Sequence, residues 1–395
     1  MALLARSDAH TAAPAAPVRA RGASGGRLPA LRHLGPNWYA TVMGTAVVAV
    51  AGAGLRAGAP GPAGGMPGLA AGCVVMWALS ALLLVFLLAA RAGHWLHHRD
   101  RAGAHLLDPA VAPFFGCLAM ALTAVGSATL AVGREVLGER VAVAVDAALF
   151  GAGTLLGLAL AVTIPYLMVV RHRPAPADVS PAWLLPLVAP MVSAAAGPPL
   201  VPYLPAGQWR AALLFGCYGL FGVSLLATLT VLPLILARLL LHGPPPLGTT
   251  PLLFLVLGPL GQSTTALHQL AGAAPAAVGA SPARALDVLA LLYGVPVMGF
   301  ALFWLVLAAA LVVRAARRGM RFTMTWWAFT FPVGTCVTGA AGLAGRTGLV
   351  ALEWLAAGLF AALVTAWAVA AWCTARGVLG GTLPAAPAPP AAPAA

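Results

Sequence analysis

Apolar residues run through this chain in ten membrane-length stretches, at about 36–56, 68–91, 111–133, 141–170, 180–204, 208–240, 250–276, 284–313, 323–345 and 348–375. Each approaches or exceeds the roughly twenty residues a helix needs to cross a hydrocarbon core. Alternation with a period of two is absent, so a barrel of strands is not expected. Small, hydroxyl and helix-breaking residues gather in the odd-numbered stretches. They occur at Met43-Gly44-Thr45, Phe115-Gly116-Cys117, Ala189-Pro190-Met191, Gly258-Pro259-Leu260-Gly261-Gln262-Ser263-Thr264-Thr265 and Thr330-Phe331-Pro332-Val333-Gly334-Thr335. The markers Gly44, Gly116, Pro190, Pro259 and Pro332 are 72, 74, 69 and 73 residues apart. A fixed long period marks repeated supersecondary units, here each large enough for two crossings.

The even stretches are mostly Leu, Ala and Val, although Pro165, Pro233 and Pro296 show that proline alone does not label the odd set. Polar, irregular backbone at membrane depth is tolerated only where protein buries it or water lines it. The odd stretches are therefore read as an inner ring of kinked helices around a pathway, and the even stretches as an outer ring facing lipid. Small residues also simply permit close helix packing; their recurrence in phase favours the pathway. The expected fold is an all-α membrane protein of ten transmembrane helices, arranged as five helical hairpins in a quasi-five-fold ring around a central pore. It occupies residues 31–378, between a tail at 1–30 and a Pro/Ala-rich tail at 379–395, both expected to be disordered.

Composition agrees: 61% of residues are hydrophobic and only 8% charged, where a soluble domain carries about a quarter charged residues. The net charge of +13 looks like a nucleic-acid signal until it is placed. All 22 basic residues are Arg, and ten crossings put 16 of them on the side of both termini. The other six are Arg56, Arg134, Arg140, Arg210, Arg284 and Arg346. This asymmetry predicts cytoplasmic termini in an inner (plasma) membrane and leaves no nucleic-acid partner to invoke. No signal-peptide core lies between Arg6 and Arg27. An organellar leader shares this Arg-containing, acid-poor composition, and a basic cytoplasmic tail is the favoured reading.

Charge also gives the pathway a sign. Of the nine acidic residues, Asp146, Asp287 and Glu353 sit near the beginnings of even stretches and the rest in tails or loops. No odd stretch has a carboxylate at mid-depth, as a cation path or carboxylate proton relay would need. An anion path uses amides, hydroxyls and the N–H groups of broken helices. Gln262, Ser263, Thr264, Thr265, Thr45 and Thr335 are the candidate anion-binding residues. Arg56, Arg134, Arg210, Arg284 and Arg346 follow the odd stretches and would form a positive collar at the outer mouth; snorkelling to the interface is the plainer alternative. His268, on the helical face of Thr264 and Thr265, is a candidate pH-sensing group, although a lone membrane histidine is more often a satisfied packing residue.

The five cysteines (Cys73, Cys117, Cys217, Cys336 and Cys373) have no close pairs or metal-ligand spacing and read as apolar fillers. His94, His97, His98 and His105 cluster in one inner loop without Cys or acidic partners, so a solvated loop is expected rather than a metal site. No metal or cofactor is expected. The absence of Lys excludes a phosphate-loop Lys or a Schiff base, and no paired carboxylates or nucleophile–His–Asp order appears at membrane depth. An enzyme is not expected.

The run Gly35-Pro36-Asn37-Trp38-Tyr39-Ala40-Thr41-Val42-Met43-Gly44-Thr45 resembles the opening signature of the tellurite-resistance/dicarboxylate transporter family. That family includes plant slow-type anion channels, yeast malate permease, fungal sulfite efflux pumps and the bacterial tellurite-resistance protein. Asp108-Pro109 through Pro113-Phe114-Phe115-Gly116, Trp183-Leu184-Leu185-Pro186-Leu187-Val188-Ala189-Pro190-Met191, Gly258-Pro259-Leu260-Gly261-Gln262 and Trp326-Trp327-Ala328-Phe329-Thr330-Phe331-Pro332 extend the resemblance over about 34–376. It implies five hairpins around a central pore, commonly in a homotrimer with one pore per subunit, closed by a Phe on the ninth helix. The matching position is Phe331, with Phe329 as the second choice. The implied cargo is a small anion: a C4-dicarboxylate such as malate, sulfite, or chloride and nitrate. A proton-coupled dicarboxylate or sulfite carrier is the alternative mechanism, and a membrane scaffold or sensor without flux the alternative of another class.

Overall fold

The computed structural model describes residues 34–58, 68–97, 99–381 and 383. The tail expected at 1–30, and residues 384–395 of the tail expected at 379–395, lie outside them. Among the described residues the chain is helical, without strands. The helices are α1 (Tyr39–Gly58), α2 (Leu69–His97), α3 (Arg99–Leu107), α4 (Gly116–Ala128), α5 (Arg134–Leu137), α6 (Glu139–Leu167), α7 (Leu184–Ala196), α8 (Gln208–His242), α9 (Leu257–Ala277), α10 (Ala280–Arg317), α11 (Phe331–Thr347) and α12 (Val350–Leu379).

Five pairs form hairpins, α1 with α2, α4 with α6, α7 with α8, α9 with α10, and α11 with α12. The first members close a circuit: α1 packs on α4, α4 on α7, α7 on α9, α9 on α11, and α11 back on α1. Burial separates two rings. In the inner spans 36–56, 112–137 and 324–347, 72–83% of the central residues are buried, against 22–33% in α2, α6, α8, α10 and α12. Large apolar side chains exposed on the latter, such as Leu82, Leu155, Leu226, Val306 and Trp372, form the outward surface. An outward face this apolar is matched to hydrocarbon, not to water.

Eight helices among the described residues are long and apolar enough to cross a membrane, where the sequence leads one to expect ten crossings. The two remaining inner helices are the most irregular. α7 has only 13 residues, and α9 carries Gln262, Ser263, Thr264, Thr265, His268 and Gln269 in its centre.

The recurrent break differs in place from the markers chosen in the sequence. Every inner helix opens with a 3₁₀ segment: Pro36–Trp38, Ala112–Phe115, Pro181–Trp183, Leu247–Val256 and Met324–Phe329. Pro36, Pro113 and Pro181 stand at the first turns of theirs, where a missing N–H and a fixed φ cost nothing. Gly116, Pro259 and Pro332 lie at or just beyond the 3₁₀-to-α junction, whereas Gly44 and Pro190 lie inside α1 and α7. All five junctions are at one end of the ring.

Polar groups at the seam between rings satisfy one another. Trp367 Nε1 donates to Thr45 Oγ1 (3.0 Å), Trp77 Nε1 to Thr129 Oγ1 (3.0 Å) and Trp304 Nε1 to the Leu253 carbonyl (2.9 Å). Ser224 Oγ donates to the Leu187 carbonyl (2.5 Å) and Tyr293 Oη to Ser263 Oγ (2.9 Å). Such pairing is required where no water competes.

Candidate functional site

The end of the ring where the 3₁₀ segments lie encloses a cavity of about 1100 Å³. Its charged and titratable lining residues are His105, Asp108, His172, Arg173, Asp178 and Arg238. Several are already committed. Asp108 accepts from the Ala110 N–H (2.9 Å), Asp178 from the Ala175 N–H (3.0 Å), and Arg238 donates to the Gly243 carbonyl (2.7 Å). Arg173 holds φ at 44°, a left-handed conformation rare for a non-glycine residue. The 3₁₀ openings of all five inner helices line this vestibule, so the positive dipole ends of those helices favour an anion there over a cation.

A second, narrow cavity of about 40 Å³ adjoins the first, sharing Asn37, Phe114, Leu252, Met324 and Thr325 with it. All five inner segments line it: Asn37 to Met43, Phe114 and Cys117, Leu185, Leu252 and Leu255, and Met324 to Pro332. Phe331 and Pro332 belong to this lining; Phe329 does not. Phe329 instead packs edge-on against Phe254 (ring centroids 4.8 Å) and beside Trp326 (5.9 Å). Phe331 is buried, with 5% of its surface exposed. Thr330, just before it, has φ −95° and ψ −80°, neither 3₁₀ nor α, and its Oγ1 donates to the Trp327 carbonyl (2.7 Å). The α-helix therefore restarts at Phe331, with Pro332 in its first turn.

The candidate anion-binding hydroxyls are buried but occupied. Thr45 donates to the Thr41 carbonyl, Ser263 and Thr264 to the Leu260 carbonyl, and Thr335 to the Pro332 carbonyl, at 2.7–3.1 Å. Thr265 Oγ1 pairs with Thr338 Oγ1 (2.7 Å) across the seam between α9 and α11. Thr45 and Ser263 also face partners on the outer ring, Trp367 and Tyr293. Gln262 differs: it is 7% exposed, and its amide makes no hydrogen bond among the described residues.

The collar arginines are distributed among several partners. Arg56 pairs with Glu135 (3.8 Å), and Arg210 donates to the Leu204 and Pro202 carbonyls (2.8 and 3.0 Å). Arg134 forms the short helix α5, and Arg284 is exposed on α10. Arg346 on α11 pairs with Asp287 on α10, while its Nε donates to His268 Nδ1 and its Nη2 to the His268 carbonyl, both at 3.0 Å. That contact needs an unprotonated Nδ1; a proton there would set imidazolium against guanidinium. His268 and Arg346 each stand out in the sequence, but nothing in their immediate surroundings there pairs them. Their separation of 78 residues is about one repeat, and that is the signal the sequence offers.

Of the histidine cluster, His98 and the side chains of His94 and His97 lie outside the description, and His105 stands in α3, a helix where the sequence suggests a loop. Among the described residues no group of three or more His, Cys, Asp or Glu side chains could hold a metal ion.

Residues 33–375 match the profile of a family described as voltage-dependent anion channel. A sulfite efflux pump of Arthroderma otae is 27% identical over 78% of this chain and 81% of its own length. A sulfite efflux pump of Trichophyton rubrum matches to the same extent. An uncharacterized transporter of Methanocaldococcus jannaschii is 24% identical over 87% of this chain and 93% of its own length.

Proposed function

Because the chain belongs to the voltage-dependent anion channel family, and is thus a multi-pass membrane protein that carries anions and not an enzyme, we propose that small anions cross it along the axis of the inner ring and are held back at Phe331. The observation that carries this reading is the narrow cavity lined by all five inner segments, which opens from the vestibule and contains Phe331. An aromatic ring at such a point breaks the water column. Pro332 beside it leaves the helix a place to bend. Crossings number ten in this reading, with α7 and α9 completed by their 3₁₀ segments, and the vestibule faces the cytoplasm, in keeping with the Arg asymmetry. The chain would act in the plasma membrane as a homotrimer with one path per subunit.

Sulfite is the cargo we favour. Two of the relatives are named for its efflux. Purified protein in liposomes should release sulfite, and more slowly malate, down their gradients while retaining sodium. Failure to pass any anion would defeat the reading.

Gln262, whose amide is uncommitted, is the side chain best able to donate to an anion beyond the gate. Gln262→Leu should lower anion flux about threefold, a modest loss because water replaces one donor among several. Gln262→Asn should retain more of it. Equal flux in the wild type and Gln262→Leu would remove this residue from the path.

A further inference from the structure

α6 belongs to the outer ring, yet among the residues it buries is a carboxylic acid. Asp146 is 0% exposed, and neither carboxyl oxygen has a hydrogen-bond or ion-pair partner among the described residues. Its Oδ1 lies over Gly126 of the inner helix α4, where a Cβ would come within 2.5 Å of it. Glycine at 126 is thus what makes room for the carboxyl. Three residues further along, α4 gives way to a π-helical turn, Thr129–Gly133. Such turns are rare and recur at functional sites. This one is pinned by Thr129 Oγ1, which donates to the Val125 carbonyl (2.7 Å) and accepts from Trp77 Nε1 (3.0 Å).

Among the described residues, none of the elements packed most closely on α6 pairs a counter-charge with Asp146. α4 offers only Cys117, nine residues from Gly126 in sequence, and α7, the π-turn and Ala112–Phe115 offer no titratable group. α5 brings Arg134 and Glu135, and Pro198–Tyr203 brings Tyr203, whose hydroxyl donates to Glu139 (3.0 Å) at the start of α6. Asp146 lies two turns further in than Glu139, roughly 10 Å along the axis. On α6 itself Arg140 stands exposed beside Glu139, and toward the far end are Tyr166, Arg171 and His172. An ionised carboxylate with no partner is costly in such surroundings.

We propose that Asp146 is a proton-binding site that couples proton movement to anion passage. Losing the proton places an unpaired charge against α4, and the inner helix must then shift to admit water. The π-turn beside it is where α4 can yield. Proton occupancy in the outer ring thereby sets the shape of an inner-ring helix. The inference rests on the anion-transport reading but adds a driving force to it.

Two measurements test it. Infrared spectra of the purified wild type at neutral pH should show the carbonyl stretch of a protonated carboxylic acid, and Asp146→Asn should lack it. In proteoliposomes with the membrane voltage clamped at zero, an imposed pH gradient should change nitrate and sulfite flux. One coupled proton permits up to about tenfold per pH unit. Nitrate is included because pH does not alter its own charge. Asp146→Asn, close to the native shape, should keep downhill flux and lose the response to the gradient. Gly126→Ala, which crowds the carboxyl, should alter that response. A wild type without the infrared band, or with flux indifferent to pH gradients, would overturn the proposal and leave the transport reading intact. So would an Asp146→Asn protein that still responds. A wild type carrying neither anion would defeat the transport reading instead, and with it the coupling.

Discussion

Phe331→Ala is expected to raise anion flux through the protein by roughly an order of magnitude or more. An order of magnitude corresponds to removing about 1.4 kcal/mol of barrier, a modest demand on the loss of an aromatic ring from a water-poor constriction. The effect is specific to this position because Phe331 lines the narrow axial cavity, whereas Phe329 is engaged with Phe254 and Trp326. Phe329→Ala should therefore leave flux near the wild-type level, at some cost in stability from the lost aromatic packing. Liposome efflux, normalised to incorporated protein, distinguishes the two. Equal flux in the wild type and Phe331→Ala would remove Phe331 as the gate.

The second large effect concerns the ring itself. Gly116→Ala and Gly261→Ala should each destabilise the protein by about 1–3 kcal/mol, the range seen when a packed interior is overfilled. A Cβ at 116 would come within 2.5 Å of the Leu185 carbonyl group and 2.7 Å of the Pro186 nitrogen. At 261 it would meet the Cys336 nitrogen at 2.5 Å and the Thr335 carbonyl carbon at 2.6 Å. These neighbours are backbone atoms, which cannot rotate aside as a long side chain can. The two sites are the α4–α7 and α9–α11 joints of the inner circuit, so relief requires adjacent helices to part. Lower thermal midpoints in detergent would register the loss. Gly54→Ala, where a Cβ meets nothing within 4 Å, is the control and should be neutral or slightly stabilising.

Much of the fold is legible in the order of the residues. The five inner helices announce themselves because Gly, Pro, Ser and Thr stand out against Leu, Ala and Val, and because they recur in phase. Helix limits fall within a few residues of the apolar stretches, since Arg and Gly punctuate the turns. The 3₁₀ openings are harder to see, although Pro36, Pro113, Pro181 and Pro251 stand in four of the five. The mid-segment markers are more conspicuous, yet Gly44 and Pro190 sit within unbroken helix.

The site is less legible because contacts decide it. Thr45 and Ser263 read as donors for an anion, but their protons are taken by backbone carbonyls and their outward faces by Trp367 and Tyr293. In a helix a hydroxyl finds the carbonyl three or four residues back before it finds a ligand. Arg56 and Arg346 look like bare positive charge in the sequence, and each has an acidic partner in the structure. Asp146 reads as an ordinary residue near the start of an even stretch. Its burial leaves little mark because α6 is apolar on nearly every side, so periodicity singles out no inward face. Gly126, twenty residues earlier, is its one sequence trace.

Anions are proposed to pass through the middle of the ring, with Phe331 standing in their way. Planar-bilayer recording of Phe331→Ala under asymmetric sodium sulfite tests it most directly. A larger conductance than wild type is expected, with a reversal potential set by the anion gradient. A reversal potential that follows sodium, or a conductance no larger than that of the wild type at equal incorporation, would contradict it.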